Sequence, residues 1–241
     1  MTLVRNTVCL CFLLISSLVV KAQSADEIIG KYVDFIGGAK QWAKVQSIVT
    51  KGTYDYGGMQ FPFEAYSKAP NFYRYKVSSN GKYFEQAFDG KQGWKIDVFK
   101  GETNKTILTG NEAKAMANEA DVALENPFIN YQQKGYEAIL DGEARVDSVD
   151  CFKIKFISNE HDTATCFFSK KDFSLVEKQA VSKNAELDKS VLNTYYSDYK
   201  KVGGITLPYK MISKIGDQTI LTVLITNVEL NVPVADSSFK P

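Results

Sequence analysis

The sequence is short of the residues that most enzymes use for catalysis and metal binding. Its 241 residues include a single histidine, His161, which lies in the polar segment SNEHD without a cysteine, histidine or carboxylate cluster at ligand spacing around it. The G-x-S-x-G, H-E-x-x-H, Walker and G-x-G-x-x-G motifs are all missing. We therefore expect no catalytic residue, no bound metal and no cofactor.

One enzymatic alternative stays open at this stage. Asp89, Asp97 and Glu64 can approach one another in a folded sheet, as the paired carboxylates of glycoside hydrolases do. Carboxylates that are solvated or paired across strands are the commoner outcome. A hydrolase is therefore the third hypothesis, behind the two binding functions given below.

An excess of charge of either sign is also missing. The chain has 29 Lys and Arg against 28 Asp and Glu, which gives a net charge of +1. A nearly neutral surface offers no electrostatic attraction for nucleic acid or for anionic membranes. We expect no nucleic-acid partner.

The first 22 residues have the pattern of an export signal. Arg5 precedes the apolar run TVCLCFLLISSLVV, and Val20-Lys21-Ala22 places small residues at the positions that signal peptidase requires. The run is shorter than the roughly 20 residues that cross a bilayer, which disfavours a membrane anchor. We expect cleavage near Ala22 and a soluble single domain over residues 23–241.

Two cysteines, Cys151 and Cys166, remain after that cleavage. An exported protein meets an oxidising compartment, which permits a disulfide between them. Cys151 alternates with Lys153 and Lys155, whereas Cys166 shares a strand face with Phe168. If the two faces are opposed the sulfur atoms cannot meet, so both outcomes stay open.

Two segments have helical patterns. SADEIIGKYVDFIGG carries a capping box formed by Ser24 and Glu27, followed by apolar residues at helical spacing and a pair of glycines. An alanine-rich segment predicts a second helix over about 112–124, which Asn126-Pro127 should end.

FYRYKVSSNGKYFEQAF is the clearest β-hairpin, because Asn80-Gly81 is a strong two-residue turn that fixes the register. In that register one side of the hairpin is mainly aromatic and aliphatic. That side consists of Tyr73, Tyr75, Val77, Phe84, Gln86 and Phe88. The next apolar alternation, in WKIDVF, predicts that Trp94 and Ile96 extend the same face.

Short strands separated by turn residues fill most of the remaining chain. We count about ten to twelve strands with two or three helices, a mainly β pattern of the α+β class. The expected body is one large curved antiparallel sheet, or unclosed half-barrel, with helices covering its concave side.

Two motifs around the hairpin resemble those of the LolA-like periplasmic carriers of outer-membrane lipoproteins. KAPNFYRY is similar to their K-R-P-N-aromatic segment, and FDGKQGW is similar to their D-G-K-x-x-W segment. DYKKVGGITLP resembles bacterial outer-membrane lipoprotein-sorting proteins. The resemblance implies an unclosed barrel in the periplasm of a Gram-negative bacterium, whose helix-lidded concave side takes acyl chains. Ala69 replaces the arginine that helps latch the lid in those carriers.

The aromatic hairpin then becomes a candidate cavity wall, although the same rings can also form a filled core. The predicted wall consists of Tyr73, Tyr75, Val77, Phe84, Phe88, Trp94 and Ile96, with Met116 on the central helix. The leading hypothesis is a monomeric, non-enzymatic carrier of lipoprotein acyl chains or other lipids that works with inner- and outer-membrane sorting components. The alternative is an envelope-sensing module on the same fold that binds a protein partner and transports no ligand.

Overall fold

The computed structural model describes residues 23–124, 126–182, 187 and 189–241. The predicted export signal, residues 1–22, lies outside these residues. Thirteen antiparallel strands form one sheet in the order β6-β5-β4-β3-β2-β1-β13-β12-β11-β10-β9-β8-β7. The strands are β1 (Ser47–Tyr56), β2 (Met59–Lys68), β3 (Phe72–Ser79), β4 (Lys82–Asp89), β5 (Gly93–Asp97), β6 (Thr106–Ile107), β7 (Glu137–Val146), β8 (Val149–Ile157), β9 (Thr163–Ser169), β10 (Leu175–Val181), β11 (Val191–Val202), β12 (Ile205–Ile215) and β13 (Gln218–Leu230).

The sheet consists of two meanders, β1–β6 and β7–β13, that join where β1 pairs with β13. Its outermost strands, β6 and β7, do not pair with each other, so the sheet stays open. The predicted mainly β half-barrel is confirmed. The strand count exceeds the predicted range because β6 has only two residues, too few to give an alternating pattern.

The described helices are α1 (Ala25–Phe35), α2 (Ala39–Trp42) and α3 (Gly110–Leu124). Helix α1 begins with the predicted capping box, since Ser24 and Glu27 each accept the other's backbone N–H. Helix α3 begins two residues before the predicted start. Within the residues described, no helix combines the length and the apolar character needed to cross a membrane.

Helices α1 and α3 cover the same face of the sheet, which we call the helix-covered face. We call the opposite face of the sheet the outer face. Helix α1 lies over the β7–β11 half, where Ile28 and Tyr32 pack against Ile154 and Phe168. The ring of Tyr32 meets those of Phe128 and Phe168, each at a centroid distance of 5.2 Å. This half of the sheet is therefore densely packed.

Cys151 and Cys166 are both free and buried. Cys166 belongs to the core under α1, whereas Cys151 packs with Val146 and Phe167 on the outer face. The prediction that the two cysteines can lie on opposite faces of the sheet is confirmed, and the alternative of a disulfide between them is wrong. Burial raises the pKa of Cys151 to about 11 and that of Cys166 to about 12.

We expect a protein that starts at residue 23 to react slowly with Ellman's reagent in its native state, because buried thiols with raised pKa values supply little thiolate. Unfolding in denaturant without reductant should release both thiols. The Cys151→Ala variant should release one. A wild-type chain that needs reductant before it reacts would contradict the unbridged arrangement.

Residues 231–241 return across the outer face of the first meander, and we call them the terminal strap. Ser47 Oγ donates to the carbonyl of Val232 at 2.8 Å, and Lys68 Nζ donates to that of Val234 at 2.6 Å. Trp94 Nε1 donates to the carbonyl of Phe239 at 2.7 Å. The side chain of Phe239 is fully buried, with its ring 5.3 Å from that of Phe72. The strap therefore fastens the first meander from outside.

Truncation of the strap's anchor should destabilise the fold strongly. Phe239→Ala removes a fully buried ring and leaves a cavity, so we expect the free energy of unfolding to fall by about 3–5 kcal/mol. Phe99→Ala, at a ring that is 38% exposed, is the matched control and should cost less than about 1 kcal/mol. Urea unfolding measures the free energy of unfolding of both variants. An equal decrease in the two variants would mean that Phe239 contributes no more to stability than an exposed ring.

Candidate functional site

The predicted hairpin forms in the predicted register. Val77 pairs with Phe84, Tyr75 with Gln86, and Tyr73 with Phe88. These six side chains lie on the helix-covered face, opposite α3. Lys76 pairs with Glu85 on the outer face, as the alternation predicted. The Asn80-Gly81 turn therefore places one continuous aromatic surface beneath a helix.

This aromatic surface is incompletely covered. Tyr73, Tyr75, Val77 and Phe84 are all half-buried, and the ring of Tyr75 lies 6.1 Å from that of Tyr73 and 5.7 Å from that of Phe84. A filled core would bury these rings fully. The wall of Tyr73, Tyr75, Val77 and Phe84 thus keeps apolar surface available for further contact.

Phe88 and Met116 were also predicted to belong to the wall, and they lie at its closed end. Phe88 is 6% exposed and Met116 is 2% exposed, and both pack with Leu108 and Ala120 beneath α3. Tyr73 packs against this cluster from the open side. The structure therefore brings six of the eight predicted residues to one face.

Trp94 and Ile96 were predicted to extend this wall, and that placement is wrong. Phe88 pairs with Gly93, so Trp94 lies opposite Ala87 and Ile96 opposite Glu85, on the outer face. Trp94 and Ile96 pack there with Ala87 as a separate cluster. Trp94 can be apolar on this face because the terminal strap covers it and accepts its Nε1–H through the carbonyl of Phe239.

Two aromatic residues outside the prediction join the wall from β1 and β2. Tyr54 and Phe63 stack with ring centroids 4.3 Å apart, and Phe63 pairs with Val77. They approach closely because Gly52 lies beneath them, where an added Cβ would be 2.6 Å from the Phe63 ring. The alternation in TYDYGGMQFPF was the signal that could have identified them.

Helix α3 and the Phe84 end of the wall enclose a cleft of about 260 Å³. Its lining combines the apolar Phe84, Leu108 and Met116 with the polar or charged Gln86, Lys95, Lys100, Glu112 and Glu119. This volume is slightly below the roughly 300–1,000 Å³ of typical small-molecule pockets. A long alkyl chain would therefore extend along the half-buried wall, or would require α3 to move away from the sheet.

Small side chains and exposed ion pairs hold α3 in place. Ala113 and Ala117 give the helix little contact area beside Met116. Lys95 bridges Glu112 at 2.6 Å, and Lys114 bridges Glu160 of the β8–β9 turn at 3.7 Å. Ion pairs on exposed side chains contribute about 0–1 kcal/mol each. Helix α3 is therefore attached less firmly than α1.

Ala69 stands where the LolA-like carriers have an arginine, and the cation near it is Lys134. Both line one cavity with Asn126, whose carbonyl accepts from Lys134 Nζ at 3.3 Å. Ala69 lies in the β2–β3 turn, and its backbone N–H donates to the carbonyl of Gln46, just before β1, at 2.9 Å. Arg74 projects to the outer face, as expected, where its Nε lies 2.7 Å from Glu85.

Glu119 is a charged residue of α3 that lines the cleft beside the aromatic wall. It keeps exposed surface in the cleft, while partial burial raises the pKa of its carboxyl. Burial, reinforced by the charge of Glu119, raises the pKa of Tyr54 to about 12 and raises the pKa values of Tyr73 and Tyr75 as well. Sequence reasoning missed Glu119, because the polar pattern of α3 does not distinguish its two sides.

The three carboxylates of the hydrolase hypothesis have separate structural contacts. Glu64 accepts from Tyr66 and pairs with Lys51 on the outer face. The Oδ1 atom of Asp97 accepts the N–H of Lys100, and that of Asp89 accepts two amides of its own turn. Across the described part of the chain, no group of three or more His, Cys, Asp and Glu side chains is placed to hold a metal ion.

A larger hollow of about 790 Å³ opens on the outer face, between the β7–β8 and β9–β10 turns. Its lining mixes charges of both signs, including Asp150, Asp172, Lys170 and Lys214, with Tyr195. This hollow therefore lies on the opposite face of the sheet from the aromatic wall.

Solved structures share this architecture. A DUF1329 family protein from Desulfovibrio piger has a TM-score of 0.61 at 14% identity, over 91% of this chain and 98% of that one. A LolA superfamily protein from Nitrosomonas europaea has a TM-score of 0.54 at 12% identity, over 91% and 99%. A protein domain from Vibrio parahaemolyticus, described as outer membrane lipoprotein-sorting, has a TM-score of 0.55 at 10% identity, over 90% and 96%.

No protein-family model matches the chain, and no curated protein sequence matches it. The likeness to the solved structures extends over nine tenths of the chain and nearly the whole of each of these three. The chain therefore has a LolA-like fold, as the KAPNFYRY and FDGKQGW motifs predicted.

The charge on Glu119 should cost stability at neutral pH. The pKa of Glu119 is higher in the folded state than the value of about 4.3 expected in the unfolded state, so the folded state holds the proton more tightly. The free energy of unfolding therefore falls as the pH rises from the unfolded-state pKa to the folded-state pKa. Glu119→Gln should therefore raise the free energy of unfolding at about pH 7, by less than about 1 kcal/mol because the side chain is partly exposed, and leave it unchanged at about pH 4.

Urea unfolding at the two pH values measures this difference. Glu137→Gln, at an exposed position on β7, controls for the introduction of an amide. If Glu119→Gln raised the free energy of unfolding equally at both pH values, the effect would come from packing of the glutamine and not from ionisation of the glutamate.

Proposed function

We propose that this protein is a non-enzymatic binding protein that carries acyl chains of lipoproteins, or other lipidic ligands, on its helix-covered face. The observation that carries the proposal is the half-buried aromatic wall beneath the loosely attached helix α3. A LolA-like fold at TM-scores of 0.54 and 0.55 to a LolA superfamily protein and a lipoprotein-sorting domain supports it.

Apolar contact alone provides enough energy for such a ligand. Burial of an acyl chain of about sixteen carbons contributes on the order of 12 kcal/mol before ordering costs, at about 0.8 kcal/mol per methylene. A carrier must also release its ligand, which a tightly filled cavity would hinder. The half-buried rings of Tyr73 and Tyr75 and the alanine-rich contact of α3 suit reversible binding.

The ligand would first contact Tyr73, Tyr75, Val77 and Phe84, the half-buried part of the wall. Phe88 and Met116 are already buried under α3 and would join the contact surface when the helix moves outward. Trp94 and Ile96 have no part in this site, because they lie on the outer face.

The remaining parts of the proposal follow from the sequence. Residues 1–22 would direct export to the periplasm and be removed near Ala22, and residues 23–241 would act as one monomeric domain. Components of lipoprotein sorting at the inner and outer membranes would deliver and receive the ligand.

A sensing module on the same fold is the second candidate, and one observation favours it. The tip of the β1–β2 hairpin exposes Tyr56 and Met59, each at 59%, and the two residues pair across the hairpin, so they form a small apolar patch that suits a protein partner. Native mass spectrometry of protein purified without detergent separates the two candidates. A lipid adduct supports the carrier, whereas a lipid-free protein bound to one stoichiometric partner supports the sensor.

Tyr75→Glu should abolish the binding of a fluorescent fatty-acid probe, because it places a carboxylate in the middle of the apolar wall. We expect the dissociation constant to rise by at least about a hundredfold, with the circular dichroism spectrum unchanged. The control is Tyr83→Glu, on the outer face of the same hairpin, where the Nζ of Lys76 lies 4.2 Å from the ring. Unchanged binding by Tyr75→Glu would place the ligand elsewhere.

A further inference from the structure

The aromatic wall carries four polar groups for which the described residues supply no partner. These groups are the hydroxyls of Tyr54, Tyr73 and Tyr75 and the carboxylate of Glu119. We propose that they recognise the head of the ligand, and that this head is a hydrogen-bond-donating cation of the primary-amine class. This inference rests on the proposed function, since the amine would belong to an amphiphile whose tail lies on the wall.

Glu119 lines the cleft beneath α3, whereas the three tyrosines belong to the wall beside it. Glu119 lines the cleft with Phe84 and Met116, three residues from Met116 and therefore on the same side of α3. The ring of Phe84 lies 5.7 Å from that of Tyr75, and Tyr73 packs against the Met116 cluster. The carboxylate of Glu119 is close enough to affect the ionisation of all three tyrosines.

Some of the other tyrosine hydroxyls of the described chain are engaged by protein groups. Tyr66 donates to Glu64, Tyr199 donates to the carbonyl of Leu175, and Tyr32 accepts from Asn126. The three wall tyrosines have no such bond with the described residues, and their hydroxyls are not sealed from solvent. A polar group without a protein partner is available to a ligand.

The charge that remains in the cleft is negative. Lys95 also lines the cleft, but Glu112 neutralises it at 2.6 Å. Lys100 has a side chain that is 77% exposed, and its Nζ pairs with Asp97 at 3.5 Å. Neither lysine therefore offsets Glu119, and the cleft should prefer a cation to an anion.

The donor and acceptor chemistry selects an amine among polar heads. An ionised carboxylate can only accept hydrogen bonds, so the group that binds Glu119 must donate. A primary ammonium supplies three donors and is also attracted to the faces of tyrosine rings. An anionic head group would meet the repulsion of Glu119 and would have to displace the bridged Lys95.

The test compares three amphiphiles with the same alkyl chain, namely dodecylamine, dodecanol and dodecanoate. Competition against a fluorescent fatty-acid probe, at a pH of about 8 where Glu119 is ionised, gives their relative affinities. We expect the wild-type protein to bind dodecylamine on the order of tenfold more tightly than dodecanol, with dodecanoate weakest. Glu119→Gln should remove the preference for the amine, and Tyr75→Phe should reduce it.

Glu137→Gln removes the same charge at an exposed site on β7 and should keep the wild-type order. A palmitoylated peptide with a free amino terminus, its N-acetylated form and lysophosphatidylethanolamine then distinguish a peptide amine from a lipid amine. An unchanged order in Glu119→Gln, or tightest binding of dodecanoate, would overturn the inference while leaving the carrier proposal intact. Failure of all amphiphiles to bind would overturn the carrier proposal itself.

Discussion

The pairing of β1 with β13 is the contact on which the whole arrangement depends, because it joins the two meanders into one surface. Val223, Ile225, Val228 and Leu230 all face the helices although their spacing is not strictly alternating. A bulge at Thr226, where the pairing shifts between Lys51 and Gly52, absorbs the extra residue. Without that bulge one half of β13 would present its apolar side chains to water.

The two halves of this surface differ in how completely they are filled. Under α1, interlocking rings from Tyr32, Phe128 and Phe168 leave little unoccupied space. Under α3, alanines face half-buried tyrosines, so the helix covers the wall without filling it. The dense half supplies rigidity, and the loose half keeps part of its apolar surface exposed.

Local signals predicted the parts of the fold that depend on a few adjacent residues. The Asn80-Gly81 turn gave the hairpin register, and Ser24 with Glu27 gave the start of α1. Trp94 was misplaced because the β4–β5 register depends on the turn in which the Asp89 side chain accepts two backbone amides. The burial of Trp94 depends on a strap residue 145 positions away in sequence. The orientation of Glu119 likewise depends on how α3 rotates against the sheet, which its alanine-rich sequence leaves undetermined.

The terminal strap makes the burial of an early strand depend on residues that are synthesised much later. Strands β1 to β5 are made early, yet the indole of Trp94 receives its buried hydrogen-bond acceptor only when residue 239 is in place. Contacts of such sequence separation form late, since the loop that they close is long. An interrupted chain would therefore leave an apolar patch on the outer face of the first meander, which quality-control proteases and chaperones can recognise.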